Sequence, residues 1–141
     1  IVKKIYDYTS IMTISFIKRR LLFLTIGCAS VKVSICPGYS VDQNFISLTS
    51  DGLLTIKKGY AWDGPSGPTF DTSNFMRASL VHDALYQLMR QGLINQGYRK
   101  PSDRELRKIS REDGMGVIRA WYIYQGVRIG ASSAANPKSA K

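Results

Sequence analysis

The sequence contains one histidine and two cysteines, and this scarcity excludes several classes of site. His82 is the only imidazole, and Cys28 and Cys36 both lie far ahead of it in the chain. The common zinc sites and the multi-histidine metal phosphohydrolases need several such ligands. Two cysteines could pair with each other, but they do not make a disulfide framework in a chain of 141 residues. The sequence therefore favours chemistry built on one histidine and on carboxylates.

Acidic residues and long apolar runs are also scarce. Ten Asp and Glu stand against 20 Lys and Arg, which gives a formal net charge of +10. Such an excess predicts affinity for polyanions, whether nucleic acid, anionic lipid headgroups or an acidic partner surface. The basic residues are concentrated toward the two ends of the chain, so that its middle is close to neutral. No run approaches the ~20 apolar residues that a membrane-spanning helix needs.

The patterning predicts one globular domain over residues 41–130, followed by a disordered polar tail over residues 131–141. Residues 1–40 form an N-terminal segment whose organisation the sequence leaves open. Residues 12–28 combine a basic cluster, a short apolar run and Gly27-Cys28, which loosely fits a signal segment. We favour the alternative interpretation, which is one or two β-strands with a basic turn.

Two turn signals delimit the first elements of the domain. The β-prone runs 45–48 and 53–58 are separated by a turn containing Asp51-Gly52, which predicts a β-hairpin. Glycine and proline then make residues 60–71 an irregular loop. A helix follows from Ser73 or Asn74 to Arg90, and Gly92 is its expected stop.

The C-terminal third predicts two further helices. Ser102 and Glu105 have the spacing of a capping box, so the second helix should run over residues 103–112. The third should span residues 117–129. We place its aromatic residues in the core in preference to a lipid-facing patch: Trp121, Tyr122 and Tyr124. The fold class is therefore α+β: an N-terminal β-hairpin or small sheet packed on a bundle of three helices. Two of those helices are antiparallel and carry His82-Asp83 and Asp103.

The first helix and the loop before it carry the candidate chemistry. On a helix, His82 and Tyr86 lie on one face, while Asp83 is turned about 100° away from His82. A glycine-rich loop exposes backbone carbonyls, an aspartate adds charge, and Ca²⁺ takes six to eight such oxygen ligands. A histidine beside such an ion would be free to act as a general base on water.

This order of a glycine-rich loop, a helix with His-Asp-x-x-Tyr and a second helix bearing an aspartate resembles secreted phospholipase A2. It resembles more closely the cysteine-free version in parvovirus capsid proteins. The residues that carry the resemblance are Tyr60, Gly64, Pro65, Gly67, His82, Asp83, Tyr86 and Asp103.

The phospholipase resemblance implies a role for each of these side chains. His82 would activate water, Asp103 would orient His82, and Tyr86 would hydrogen-bond Asp103. Asp83 would bind calcium. The remaining calcium ligands would be backbone carbonyls near Trp62, Gly64 and Gly67. Asp63 has no equivalent in that loop and is either an added metal ligand or a turn residue.

The stretch from about Phe45 to Gly130 also looks like an uncharacterised family found in phages and prophages. Its members share a hydrophobic hairpin, a DGxS-type loop, an HDxLY helix and a following Ser-Asp or Ala-Asp helix. Here these motifs are residues 63–66, residues 82–86 and Ser102-Asp103. The resemblance implies a phage or prophage source, in the virion or in the host cell, and no established activity.

Three hypotheses of different classes follow. The first is a calcium-dependent ester hydrolase of phospholipase A2 type, acting at an anionic membrane or lipid surface. The second is a non-enzymatic phage structural or accessory protein that contacts virion components, in which the polar cluster around His82 only stabilises the core. The third is a basic nucleic-acid-binding protein. Its phosphate contacts would come from a row of basic side chains for which we favour the alternative of a solvated helix face: Arg104, Arg107, Lys108 and Arg111.

Overall fold

The computed structural model describes residues 12–17, 20–25, 27–62 and 73–139. It confirms the α+β class, with antiparallel sheet in the N-terminal half and three helices after it. The predictions for Asp63, Gly64 and Gly67 lie outside the described residues.

In the described part of the chain, seven strands form two antiparallel sheets. One sheet has three strands in the order β1-β2-β7 and the other has four in the order β3-β6-β5-β4. The strands are β1 (Met12–Ile17), β2 (Arg20–Thr25), β3 (Ala29–Lys32), β4 (Val41–Asp42), β5 (Ile46–Leu48), β6 (Leu53–Ile56) and β7 (Ala61–Trp62). The pairing of β1 with β2 agrees with the strand interpretation of the N-terminal segment.

The predicted hairpin is the β5–β6 pair, in which Leu48 faces Leu54. Gly52 closes its turn with a φ of 92°, a backbone conformation that side chains other than glycine rarely adopt. A Cβ at this position would lie 2.5 Å from a backbone carbonyl oxygen, that of Val33. Glycine is therefore required here both by the backbone conformation and by the neighbouring chain.

The three helices are α1 (Ser73–Arg90), α2 (Arg99–Glu112) and α3 (Val117–Gly130). Helix α1 has the predicted bounds, and Gly92 follows it with a φ of 71°. The N–H groups of Gly92 and Leu93 donate to the carbonyls of Met89 and Leu88, which is the pattern of a Schellman motif. Glycine thus ends α1 by satisfying carbonyls that the last turn leaves free.

The capping box predicted at Ser102 is wrong, because α2 begins at Arg99. A 3₁₀ turn, capped by the side chain of Asn95, leads directly into the helix. Ser102 is therefore inside α2, where its hydroxyl donates to the carbonyl of Tyr98. Glu105 accepts a hydrogen bond at 2.9 Å from the backbone N–H of Ser34 instead of capping the helix. The tertiary contact with Ser34 therefore uses the Glu105 side chain that a capping box would need.

One hydrophobic core joins the sheet to the helices. Leu48, Leu54 and Ile56 from the sheet lie in the same buried cluster as Leu85 of α1 and Leu106 of α2. Because β5, β6, α1 and α2 share this core, the positions of the polar side chains between α1 and α2 are fixed by packing.

The core prediction for α3 is partly wrong. Trp121 and Tyr122 are exposed to solvent, and Tyr124 is half-buried. Ala120 is the one residue of this helix that is buried. Helix α3 therefore lies on the outside of the bundle and turns much of its apolar surface to water.

The two cysteines, Cys28 and Cys36, are free and exposed. In the segment that the sequence predicts to be disordered, the structure has 3₁₀ turns at Ser133–Ala135 and Pro137–Ser139, and Ala135 is buried. No helix in the described part of the chain is both long and apolar enough to cross a membrane.

Candidate functional site

The structure brings His82 and Asp103 together between α1 and α2. Nε2 of His82 lies 2.7 Å from Oδ1 of Asp103. The side chain of His82 is 12% exposed, whereas that of Asp103 is fully buried. Helix α1 presents the histidine because His82 lies at the edge of its buried face, and α2 presents the aspartate from its own buried face. The pair is therefore a His-Asp dyad with water access on the histidine side.

Three donors surround the buried carboxylate of Asp103. Besides His82, the Tyr86 hydroxyl donates to Oδ1 at 2.6 Å and Nη1 of Arg128 donates to Oδ2 at 2.8 Å. Burial by itself would raise the pKa of Asp103, but the hydrogen bonds from these side chains outweigh it and hold the pKa below its usual range. Asp103 is accordingly ionised at neutral pH.

An ionised Asp103 fixes the tautomer of His82. A carboxylate only accepts hydrogen bonds, so Nε2 of the histidine must carry the proton between them. In the neutral ring the lone pair then belongs to Nδ1. Within the described part of the chain no hydrogen bond to Nδ1 is recorded. The dyad thus presents a basic nitrogen on the side of the ring away from Asp103.

Tyr86 supports the dyad in two ways. Its ring centroid lies 4.1 Å from that of His82, which confirms that the two side chains share one face of α1. Burial raises the pKa of Tyr86, and the hydrogen bond to Asp103 raises it further. The phenol therefore remains a neutral donor, and it restricts both the imidazole ring and the carboxylate.

Asp83 faces the chain that leads into the glycine-rich loop. Its Oδ2 accepts a hydrogen bond at 2.7 Å from the hydroxyl of Tyr60, which immediately precedes β7. This contact ties Asp83 to the start of the loop, and Trp62 ends the described chain on that side. Of the predicted calcium ligands, Asp83 and Trp62 belong to the described residues, and the carboxylate of one and the carbonyl of the other are oxygen donors of the kind that Ca²⁺ prefers.

No group of three or more metal-ligating His, Cys, Asp or Glu side chains occurs among the described residues.

Two arginines at the site were not predicted from the sequence. Arg128 of α3 covers Asp103 from the third helix, and its bond to Asp103 raises the pKa of its guanidinium. Arg99 donates to the carbonyls of Val127 and Arg128 at the end of α3. In sequence, Arg128 is one basic residue among many near the C-terminus, and its role depends on how α3 packs against α2.

A family profile matches residues 39–127, which is most of the chain, and its description is "protein of unknown function (DUF1353)". The chain belongs to the DUF1353 family. No curated protein and no solved structure matches it.

The DUF1353 match contains the dyad and its neighbours. His82, Asp83, Tyr86 and Asp103 all lie within residues 39–127, and Arg128 follows the match directly. The predicted membership of an uncharacterised family is confirmed. The phage association and the phospholipase resemblance stay predictions, because the DUF1353 description gives no source and no activity.

Proposed function

We propose that this DUF1353 protein is a calcium-assisted ester hydrolase in which His82 activates water, with phospholipid as the substrate class and a phage or prophage as the source. The observation that carries the proposal is the 2.7 Å contact of Nε2 with a fully buried, ionised Asp103. A histidine oriented in this way has the arrangement required of a general base.

The steps assigned to the chain are proton transfers and positioning. Nδ1 of His82 would take a proton from a water molecule as that water attacks the ester carbonyl. The resulting imidazolium would be stabilised by Asp103, which is already ionised and held by Tyr86 and Arg128. The proton would then pass from Nδ1 to the leaving alcohol, which returns the histidine to its neutral form.

The carboxylate of Asp83 supports the proposal of a hard cation at this position, because it is an oxygen ligand of the kind that Ca²⁺ prefers. It is hydrogen-bonded to Tyr60 at the start of the loop, and the loop sequence beyond Trp62 contains Gly64 and Gly67, a residue type that lets the backbone approach a ligand closely. A bound Ca²⁺ would supply electrophilic polarisation of the ester carbonyl. The chain places the carboxylate of Asp83 next to His82 in sequence but on a different side of α1.

A second candidate function is structural, and the same network supports it. Asp103 is buried with three hydrogen-bond donors, and such a satisfied cluster stabilises a core without any turnover. In that case the protein would serve as a phage structural or accessory component. The two candidate functions make different predictions for a variant that keeps the hydrogen bond to Asp103 but lacks the basic nitrogen of His82.

The test compares the parent with His82→Gln and Asp83→Asn on phosphatidylglycerol vesicles with millimolar Ca²⁺, and it measures fatty-acid release. The glutamine amide can still donate to Asp103, so the fold should persist while the base is lost. We expect release by the parent, at least a ~100-fold loss in both variants, and no release when Ca²⁺ is chelated. If the folded parent releases no fatty acid, the hydrolase proposal is wrong and the structural function is the one supported.

Melting temperature provides the control for metal binding. Ca²⁺ should raise the melting temperature of the parent, because an ion that binds only the folded state stabilises it. Asp83→Asn should abolish that rise. Asp51→Asn, which removes an exposed carboxylate on the sheet, should leave it unchanged. An equal rise in all three proteins would indicate non-specific cation binding and would contradict the calcium site.

A further inference from the structure

The outer face of α2 is a continuous row of basic side chains. Along the helix they are spaced by three or four residues, so they lie on one side of it, opposite the buried face that holds Asp103. This basic ridge consists of Lys100, Arg104, Arg107, Lys108 and Arg111. Within the described part of the chain, Lys108 is the one member with an ion pair, a long contact of 3.7 Å to Glu105. The charge of the ridge is therefore largely uncompensated.

The outer face of α3 is apolar. Ile118, Tyr122 and Ile129 are 74%, 67% and 82% exposed, and Trp121 beside them is 44% exposed. Their spacing along α3 places them on the side of the helix that faces water. We call these four side chains the apolar strip. A strip of this kind on a protein that carries such a high net charge marks an interaction surface.

The basic ridge and the apolar strip lie on neighbouring helices. The guanidinium of Arg107 lies 5.9 Å from the centre of the Tyr124 ring, and Arg99 at the start of α2 donates to Val127 and Arg128 at the end of α3. The two helices are thus antiparallel neighbours. Trp121 lies one turn from Tyr124, and its ring meets that of Tyr122 edge to face.

We infer that the basic ridge and the apolar strip together bind the surface of an anionic lipid membrane. An anionic bilayer offers phosphate groups to lysine and arginine, and beneath them an apolar layer that accepts isoleucine, tryptophan and tyrosine. Aromatic side chains with a polar edge are stable at that boundary. The basic ridge thus matches the phosphate layer of the bilayer, and the apolar strip on the neighbouring helix matches the apolar layer beneath it.

The other partners fit this surface less well. A nucleic acid could meet the ridge and stack bases on Trp121 and Tyr122, but it would leave Ile118 and Ile129, the two most exposed members of the strip, in water. A second copy of the chain packed on the apolar strip would bring two uncompensated basic ridges close together, and like charges repel. An anionic lipid surface satisfies both the charge and the apolar area.

The inference goes beyond the proposed hydrolysis, because membrane binding does not require a functional dyad. The experiment uses sedimentation with vesicles of phosphatidylcholine that contain phosphatidylglycerol, with Ca²⁺ chelated. His82→Gln should bind as well as the parent. Failure of catalysis with intact binding would overturn the proposed function alone, and failure of binding with intact catalysis would overturn this inference alone.

Charge is tested with Lys100→Ser/Arg104→Ser. Each basic side chain near an anionic surface contributes about fivefold in binding, so we expect a roughly 25-fold loss. The control, Lys32→Ser/Lys57→Ser, removes the same formal charge from the sheet side of the protein, where both lysines are ion-paired with aspartates, and it should bind like the parent. Equal losses in both double variants would show a response to net charge only and would overturn the assignment to α2.

Apolar insertion is tested with Ile118→Ser/Ile129→Ser, against Leu53→Ser as an exposed apolar control on the sheet. We expect the α3 variant to lose at least tenfold in vesicle binding and the control to lose little. Several results would overturn the inference. These are equal binding to pure phosphatidylcholine, no binding by the parent, and a dimer in solution that the α3 substitutions dissociate. Binding of nucleic acid in place of vesicles would also do so.

Discussion

The arginine that covers Asp103 offers the sharpest test of the site's energetics. Nη1 of Arg128 donates to Oδ2 at 2.8 Å, and its side chain is 28% exposed while the carboxylate has no exposure. A hydrogen bond between charged groups contributes about 1.5–3 kcal/mol, and water reaches part of this arginine. We therefore expect Arg128→Met to lower the free energy of unfolding by about 2 kcal/mol at neutral pH.

The pH dependence separates this effect from a loss of packing. The pKa of Asp103 is lowered in the folded protein, so its contribution to stability is present above the unfolded pKa of about 4 and is lost as the pH falls through the folded pKa. In Arg128→Met the folded pKa of Asp103 should move upward. The difference between parent and variant should therefore shrink on acidification and vanish once Asp103 is protonated in both.

Urea unfolding followed by far-ultraviolet circular dichroism, at neutral pH and at pH ~3, measures both quantities. Arg119→Met is the matched control. It removes an arginine from the same helix that has no ion pair within the described residues, and it should cost less than about 0.5 kcal/mol. Equal costs for the two substitutions would refute the role given to Arg128. An unchanged cost for Arg128→Met at acid pH would refute the role given to the charge of Asp103.

Two further predictions concern a side chain of the site and a turn of the sheet. Tyr86→Phe should cost about 1–2 kcal/mol, because Asp103 loses one donor. The pKa of Tyr86 is raised in the folded state, so the free energy of unfolding of the parent should fall as the pH rises above about 10. Urea unfolding should show a smaller fall for Tyr86→Phe than for the variant of an exposed tyrosine, Tyr122→Phe, which serves as the control. Gly52→Ala should cost at least ~2 kcal/mol by thermal unfolding, because a carbonyl oxygen lies 2.5 Å from the new Cβ. Gly38→Ala, with a φ of 81° and open space around it, should cost only about 1 kcal/mol; equal costs would contradict the steric argument.

The sequence predicted those elements whose signals are local. Gly52 and Gly92 mark a turn and a helix end through their own backbone conformations, and the bounds of α1 follow from residues within it. The contact of His82 with Tyr86 also follows from helical spacing. These features need no knowledge of the rest of the chain.

Features that depend on packing between distant elements were missed. Ser102 and Glu105 have a correct local capping pattern, but a backbone N–H some 71 positions away along the chain occupies the glutamate. Arg128 has no sequence feature that separates it from its basic neighbours. The exposure of Trp121 and Tyr122 follows from α3 lying at the edge of the bundle, which their hydrophobicity does not indicate.

The separation of the site contacts along the chain has a consequence for engineering. Asp103 contacts Tyr86 and His82 across 17 and 21 positions, whereas the bond from Ser34 to Glu105 spans 71. Contacts of short separation cost less loop entropy to form. The dyad is thus assembled inside a helical hairpin, α1 with α2, to which α3 adds Arg128. A designer who moves the site to a new scaffold would therefore have to transfer all three helices together with an apolar sheet face that completes the core around Leu85 and Leu106.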